Sequence, residues 1–139
     1  MNETIFRAND VRGIVERDFS DDVVSGLGKA YGSYMRRRGH QKLVVGHDLR
    51  PSSPHLAKTF MQGLQSTGIH IVFVGQVTTP ALYFAIVQWD LDGGCMITGS
   101  HNPKPYNGFK MCEGLGSVYG EEIQKLKEMI KTEDFEQAA

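Results

Sequence analysis

Apolar residues recur along the chain in blocks whose period alternates between helix and strand. Val23, Val24, Leu27, Tyr31, Tyr34 and Met35 keep a helical spacing. Ser20 is placed to cap that helix, with Asp21 and Asp22 in its first turn and Gly39 as a left-handed stop. Gly26, Gly28 and Gly32 weaken it locally and point to close backbone packing. Leu43-Val44-Val45 predicts a short buried strand. Ser53-Pro54 predicts a capped helix start, Leu56, Phe60 and Leu64 carry the period, and Gly68 ends it. Ile69 to Val74, rich in β-branched residues, predicts the second strand. Thr79-Pro80 repeats the cap-then-proline signal before an apolar helix face of Leu82, Ala85, Ile86 and Trp89. Gly94 to Thr98 and Gly108 to Cys112 predict two more strands. A last helix runs from about Glu121 to Ile130, with Ile123, Leu126 and Ile130 inward and Glu121 paired to Lys125.

Strands alternating with helices imply an α/β fold: a three-layer α/β/α domain with a mixed, mainly parallel sheet of about four strands. The loop before the fourth strand has about nine residues, too few for a parallel crossover, so that strand is expected to run antiparallel to the third. One domain is expected over residues 1–132, with 133–139 as a frayed tail or the start of an interdomain linker. In open α/β sheets ligands bind beyond the carboxyl ends of parallel strands. The loops leaving those ends are 46–50, 75–79 and 98–106.

Composition adds limits. The chain has 139 residues, 40% apolar and 22% charged, enough for one packed core. A net charge of −1 argues against a nucleic-acid surface. Arg36-Arg37-Arg38 reads as the solvated last turn of the first long helix. Cys95 and Cys112 form neither a disulfide framework nor a metal cluster and suit a reducing compartment. No segment resembles a signal peptide or spans a bilayer, so no membrane partner and a cytoplasmic location are expected. His40, His55 and His70 have no company that suggests a metal. Trp89 reads as core or as contact surface for another domain. Tyr106 and Phe109 read as packing beneath the third loop, with sugar contact as the alternative.

That loop carries the most chemistry: Thr98-Gly99-Ser100-His101-Asn102-Pro103, continuing through Tyr106-Asn107-Gly108-Phe109-Lys110. Gly99 permits unusual backbone geometry, and Asn102-Pro103 stiffens the turn. Lys110 returns on the next strand, where its ammonium can approach Ser100. A serine hydroxyl needs activation to act as a nucleophile. No Gly-x-Ser-x-Gly elbow is present, and no carboxylate is placed to orient His101, so a hydrolase triad is poorly supported. A phosphorylated serine instead needs cations, backbone donors and usually Mg²⁺. Read from the residues alone, the segment serves equally well as a tight turn whose Ser100 and Asn102 satisfy backbone groups.

These residues resemble the phosphoserine loop of the α-D-phosphohexomutases, with the bacterial phosphomannomutase/phosphoglucomutase type as the closest likeness. Ile5-Phe6-Arg7-Ala8-Asn9-Asp10-Val11-Arg12-Gly13 resembles that family's N-terminal signature. Val45-Gly46-His47-Asp48-Leu49-Arg50-Pro51-Ser52-Ser53 resembles its second, and Thr78-Thr79-Pro80 a weaker third. The resemblance implies that Ser100 is the phosphoserine and, through its phosphate, a Mg²⁺ ligand. It implies that Lys110 and Arg12 are active-site cations, that His101 lines the site, and that Asn9, Arg12 and Asn102 contact substrate. It implies reversible 1-phosphate/6-phosphate transfer on mannose or glucose phosphates through a bisphosphorylated sugar, an isomerase reaction primed by glucose 1,6-bisphosphate.

Two positions depart from the pattern. Asn9 stands where the family usually has tyrosine, and His47 where it often has arginine, which makes any charge there pH-dependent. The family's enzymes have four domains, and the resemblance covers only the first. The Asp-Gly-Asp-type Mg²⁺ loop and the sugar-reading loops have no match. The chain is therefore expected to be part of a longer enzyme whose remaining domains are its partners, and not to complete catalysis alone. A stand-alone phosphate-binding or regulatory module is the alternative.

Overall fold

The computed structural model describes residues 1–138. After a 3₁₀ turn at Glu3–Ile5 come β1 (Val11–Ile14), a short α1 (Val15–Asp18), α2 (Asp21–Arg37), β2 (Lys42–His47), α3 (Ser53–Ser66) and β3 (His70–Gln76). They are followed by α4 (Thr79–Gln88), β4 (Gly93–Ile97), β5 (Tyr106–Glu113), β6 (Gly116–Ser117) and α5 (Glu121–Thr132).

The sheet is mixed, as expected, but has six strands in the order β1-β5-β4-β2-β3, with β6 against β5. Parallel pairing is confined to β3, β2 and β4. β5 returns antiparallel to β4, and β1 pairs antiparallel with β5 on its other side. The extra strands have physical reasons for escaping an apolar-run criterion. β1 is Val-Arg-Gly-Ile, interrupted by a charge and a glycine, and β6 is two small residues. The carboxyl end of β1 is fixed by Asp18, whose carboxylate accepts from the Ile14 amide at 2.9 Å and from Asn2 Nδ2 at 2.8 Å. Arg17, then those two donors, hold Asp18 down to about 2 against the opposing effect of burial.

One face of the sheet packs against α2, α3 and α5. Leu43, Val45, Cys95, Ile97, Phe109 and Met111 meet Leu27, Tyr31, Phe60 and Leu126 there. The glycines of α2 are used unequally. A Cβ on Gly28 would lie 2.2 Å from the Phe60 carbonyl, and one on Gly63 of α3 would lie 2.1 Å from the Ser25 carbonyl. The two helices thus touch backbone to backbone. Gly26 has only an Ile130 methyl at 3.5 Å.

Among the described residues the opposite face is covered by α4, through Val44, Leu82, Ala85, Ile86 and Met96. α4 is apolar around most of its circumference, so its far side is exposed: Phe84 by 67%, Val87 by 65% and Trp89 by 55%, beside Phe73 of β3. Trp89 is therefore surface and not core. No helix among the described residues is long and apolar enough to cross a membrane.

Other local expectations shift. Ser20 does cap α2, and Gly39 and Gly68 take positive φ after α2 and α3. The α4 cap is Thr78, whose Oγ1 accepts from Ala81 N, and not Thr79. Ser53 is the first residue of α3, and its hydroxyl is engaged elsewhere. Lys125 pairs with Glu122, not Glu121. The terminal segment is not frayed through residue 138. Arg37 pairs with Asp134 and Glu136, Phe135 packs on the core, and Ala138 N donates to Ser66 O.

Candidate functional site

The chain goes from β2 through α3 to β3 on one side, then returns through α4 to place β4 on the other side of β2. The carboxyl ends of β2 and β4 therefore face each other at the sheet's switch point, where such sheets bind ligands. A cleft of about 530 Å³ opens there, lined by Asp48, Leu49, Arg50, Pro51, Thr98, Ser100, Asn102 and Lys104.

Ser100 is exposed and has φ of +51°. A left-handed conformation costs a non-glycine residue about 1–2 kcal/mol, and such residues cluster at functional sites. Gly99 is not the left-handed residue, although its sequence position suggested it. What Gly99 supplies is space, because a Cβ there would lie 2.2 Å from Arg50 Cζ.

The loop rests on Asp48. Asp48 Oδ1 accepts from Arg50 N at 3.1 Å and from the Ser53 hydroxyl, while Oδ2 accepts from Gly99 N at 3.1 Å and faces Arg50 Nε at 3.3 Å. Burial pushes the Asp48 carboxyl up, but these bonds, with Thr98, outweigh it and leave the group below its usual range. Ser53 Oγ also accepts from Asn107 Nδ2 at 2.9 Å, and Asn107 is fully buried on β5. The loops after β2 and β4 and the strand β5 are thereby tied together by one polar network.

The expected cations lie beside this cleft and not in it. Arg12 on β1 is opposite Gly108 of β5. Its Nη1 donates to Asn102 Oδ1, its Nη2 pairs with Asp10, and its Nε is buried without a partner. Arg12, Lys110, Asn9, Asp10, Arg7 and Ala8 line a second cleft of about 410 Å³. Asn102 joins the two clefts, since it lines the first and accepts from Arg12, which lines the second. The hairpin that brings Lys110 back closes as expected, with Lys110 opposite Met96. The lysine nevertheless opens into the Arg12 cleft. His101 is exposed and lines neither cleft. His47 is buried, donating from Nδ1 to its neighbour's carbonyl at 2.8 Å and tilted against Phe73.

Among the described residues no group of three or more His, Cys, Asp or Glu is placed to hold a metal. Both oxygens of Asp48 already accept hydrogen bonds. The side chains present therefore do not complete a Mg²⁺ shell by themselves.

Fold and loop together define an α/β domain that presents a strained serine at the ligand-binding edge of its sheet. A profile of phosphoglucomutase/phosphomannomutase, alpha/beta/alpha domain I, matches residues 3–137, and the chain belongs to that family. It is 43% identical over 131 residues to a phosphoglucomutase of Neisseria gonorrhoeae, covering 94% of this chain and 28% of that protein. It is 44% identical over 130 residues to a phosphomannomutase/phosphoglucomutase of Pseudomonas syringae pv. tomato, with the same coverages. A crystal structure of a phosphoglucomutase/phosphomannomutase family protein from Burkholderia thailandensis superposes with a TM-score of 0.94 at 37% identity. It covers all of this chain, which spans 32% of that one. The chain thus spans less than a third of the length of these relatives.

Proposed function

We propose that this chain is the serine-bearing domain of a hexose-phosphate mutase and that Ser100 carries the phosphoryl group. The observation that carries the proposal is Ser100 itself: exposed, left-handed and braced at the switch point of the sheet. In the forward step the bond between phosphorus and Ser100 Oγ breaks while a sugar hydroxyl oxygen bonds to phosphorus. The hydroxyl proton leaves, and the serine oxygen regains one. The reverse transfer, from the other end of the bisphosphorylated sugar, restores the phosphoserine.

Arg12 suits the charge that moves in this step, because Asp10 and Asn102 hold its guanidinium beside the loop. Lys110 in the same cleft serves the substrate's phosphate as a point charge. Asn9 and Asn102 offer hydrogen bonds to the sugar. His101, exposed on the turn, has a role only if another domain closes over it. Ser100, once phosphorylated, offers one oxygen to Mg²⁺, and the rest of that shell comes from outside this chain. Hexose 1- and 6-phosphates are the proposed substrates, and glucose 1,6-bisphosphate the source of the first phosphoryl group. Turnover needs the further domains that complete the relatives.

Intact-mass measurement after incubation with glucose 1,6-bisphosphate tests the assignment, in the enzyme with its remaining domains. One phosphoryl adduct is expected in the wild type and none in Ser100→Ala. An adduct that persists in Ser100→Ala removes Ser100 from the mechanism.

A further inference from the structure

We propose that Arg50 is a positioning residue for Ser100, a clamp whose guanidinium holds the serine turn in its left-handed form; this rests on the reading of Ser100 as the phosphoryl carrier. Arg50 Nη2 donates to the carbonyls of Ser100 at 3.1 Å and Asn102 at 2.7 Å. Its Nη1 donates to the carbonyls of Pro103 at 2.8 Å and Tyr106 at 3.1 Å. Its Nε faces Asp48 at 3.3 Å. The planar fork of an arginine is the side chain able to reach that many acceptors at once, and a lysine ammonium cannot reproduce the set.

Independent features point the same way. The turn has few bonds of its own: Ser100 N donates to Thr98 Oγ1 and Asn102 N to Gly99 O, both at 2.9 Å, and Tyr106 N to Pro103 O at 3.0 Å. The four carbonyls of the turn converge on one cation. Gly99 lacks the atom that would strike that cation, at 2.2 Å from Cζ and 2.3 Å from Nε. The pair reads as a lock: a glycine that admits the guanidinium and an arginine that fills the gap. Because its donors are spent on carbonyls and Asp48, Arg50 has little to offer a phosphoryl group although it lines the cleft. It acts on Ser100 through the backbone.

The test compares Arg50→Ala, Arg50→Lys, Gly99→Ala and the double variant Gly99→Ala/Arg50→Ala. In the full chain, NMR coupling constants and carbon shifts of Ser100 report its φ. Arg50→Ala and Gly99→Ala are expected to lose the left-handed signature while the dispersion of core resonances persists. The double variant is expected to be no worse than Arg50→Ala, because removal of the guanidinium makes room for the new methyl. In the enzyme with all its domains, kcat is expected to fall roughly a hundredfold in Arg50→Ala with KM for the hexose phosphate unchanged, and Arg50→Lys to restore part of it. A Ser100 signature unchanged in Arg50→Ala overturns the clamp. So does full kcat in Arg50→Ala while Ser100→Ala is dead. Full turnover in Ser100→Ala strikes the underlying reading instead, and the NMR comparison still tells whether the clamp exists.

Discussion

Gly28→Ala isolates what holds α2 against α3. In an isolated helix the change is favourable by about 1 kcal/mol, because alanine has less backbone entropy to lose. Here the new Cβ would sit 2.2 Å from the Phe60 carbonyl and 2.8 Å from Leu64 N. Backbone atoms cannot swing aside as a side chain does, so the helices must part by about 1 Å. A gap of that size forfeits roughly a quarter to a half of the dispersion well for the atoms that lined it. Leu27, Tyr31, Phe60 and Leu64 share this layer. Overpacking of this kind costs about 1–3 kcal/mol, with this site at the upper end. Set against the helix gain, a net loss of about 2 kcal/mol is expected.

Gly26→Ala is the matched control. It lies on the same helix with its nearest neighbour an Ile130 methyl at 3.5 Å, so it is expected to stabilise by up to about 1 kcal/mol. Urea titration followed by far-ultraviolet circular dichroism gives both values from the midpoint at constant m. Equal stabilisation by the two substitutions would falsify the backbone contact inferred between α2 and α3.

Acid should weaken the anchor of β1 in a defined window. Asp18 has a folded value of about 2 against an ordinary 3.8, so its contribution is complete above the ordinary value and is lost as pH falls through the folded one. The stability gap between wild type and Asp18→Asn is expected to close between about pH 4 and pH 2; a gap independent of pH there contradicts the assignment. Lys110→Ala, in the enzyme with all its domains, is expected to lower turnover while circular dichroism and melting stay near wild type. Unchanged steady-state kinetics would remove Lys110 from the proposed site.

How much of this was legible in the sequence depends on how local the cause was. Ser20, Gly39 and Gly68 act within one turn of the chain, and they mark helix ends as read. The antiparallel return of β5 followed from loop length alone. Family signatures marked Ser100 and Arg12, and composition did not. β1 was illegible because Arg12 and Gly13 break its apolar run, and its pairing with β5 is what makes it a strand. Ser53 looks like a cap by its neighbour Pro54, but Asp48 and Asn107 claim the hydroxyl first. Asp48 and Arg50, two apart in a loop, form a local ion pair. Their hold on the serine turn depends on acceptors and donors about fifty positions away, which no window of sequence displays. The one visible hint was Gly99, a missing side chain beside Ser100.

Trp89, the single tryptophan, stands on the exposed side of α4. Its emission in the native chain therefore reports a wet surface and carries little information about the folded interior. Unfolding followed by that signal will look shallow, while quenchers such as acrylamide will reach the indole before any denaturant is added. The same fluorophore becomes a reporter of contact: whatever settles over α4 should shift its emission to shorter wavelength and shield it from the quencher.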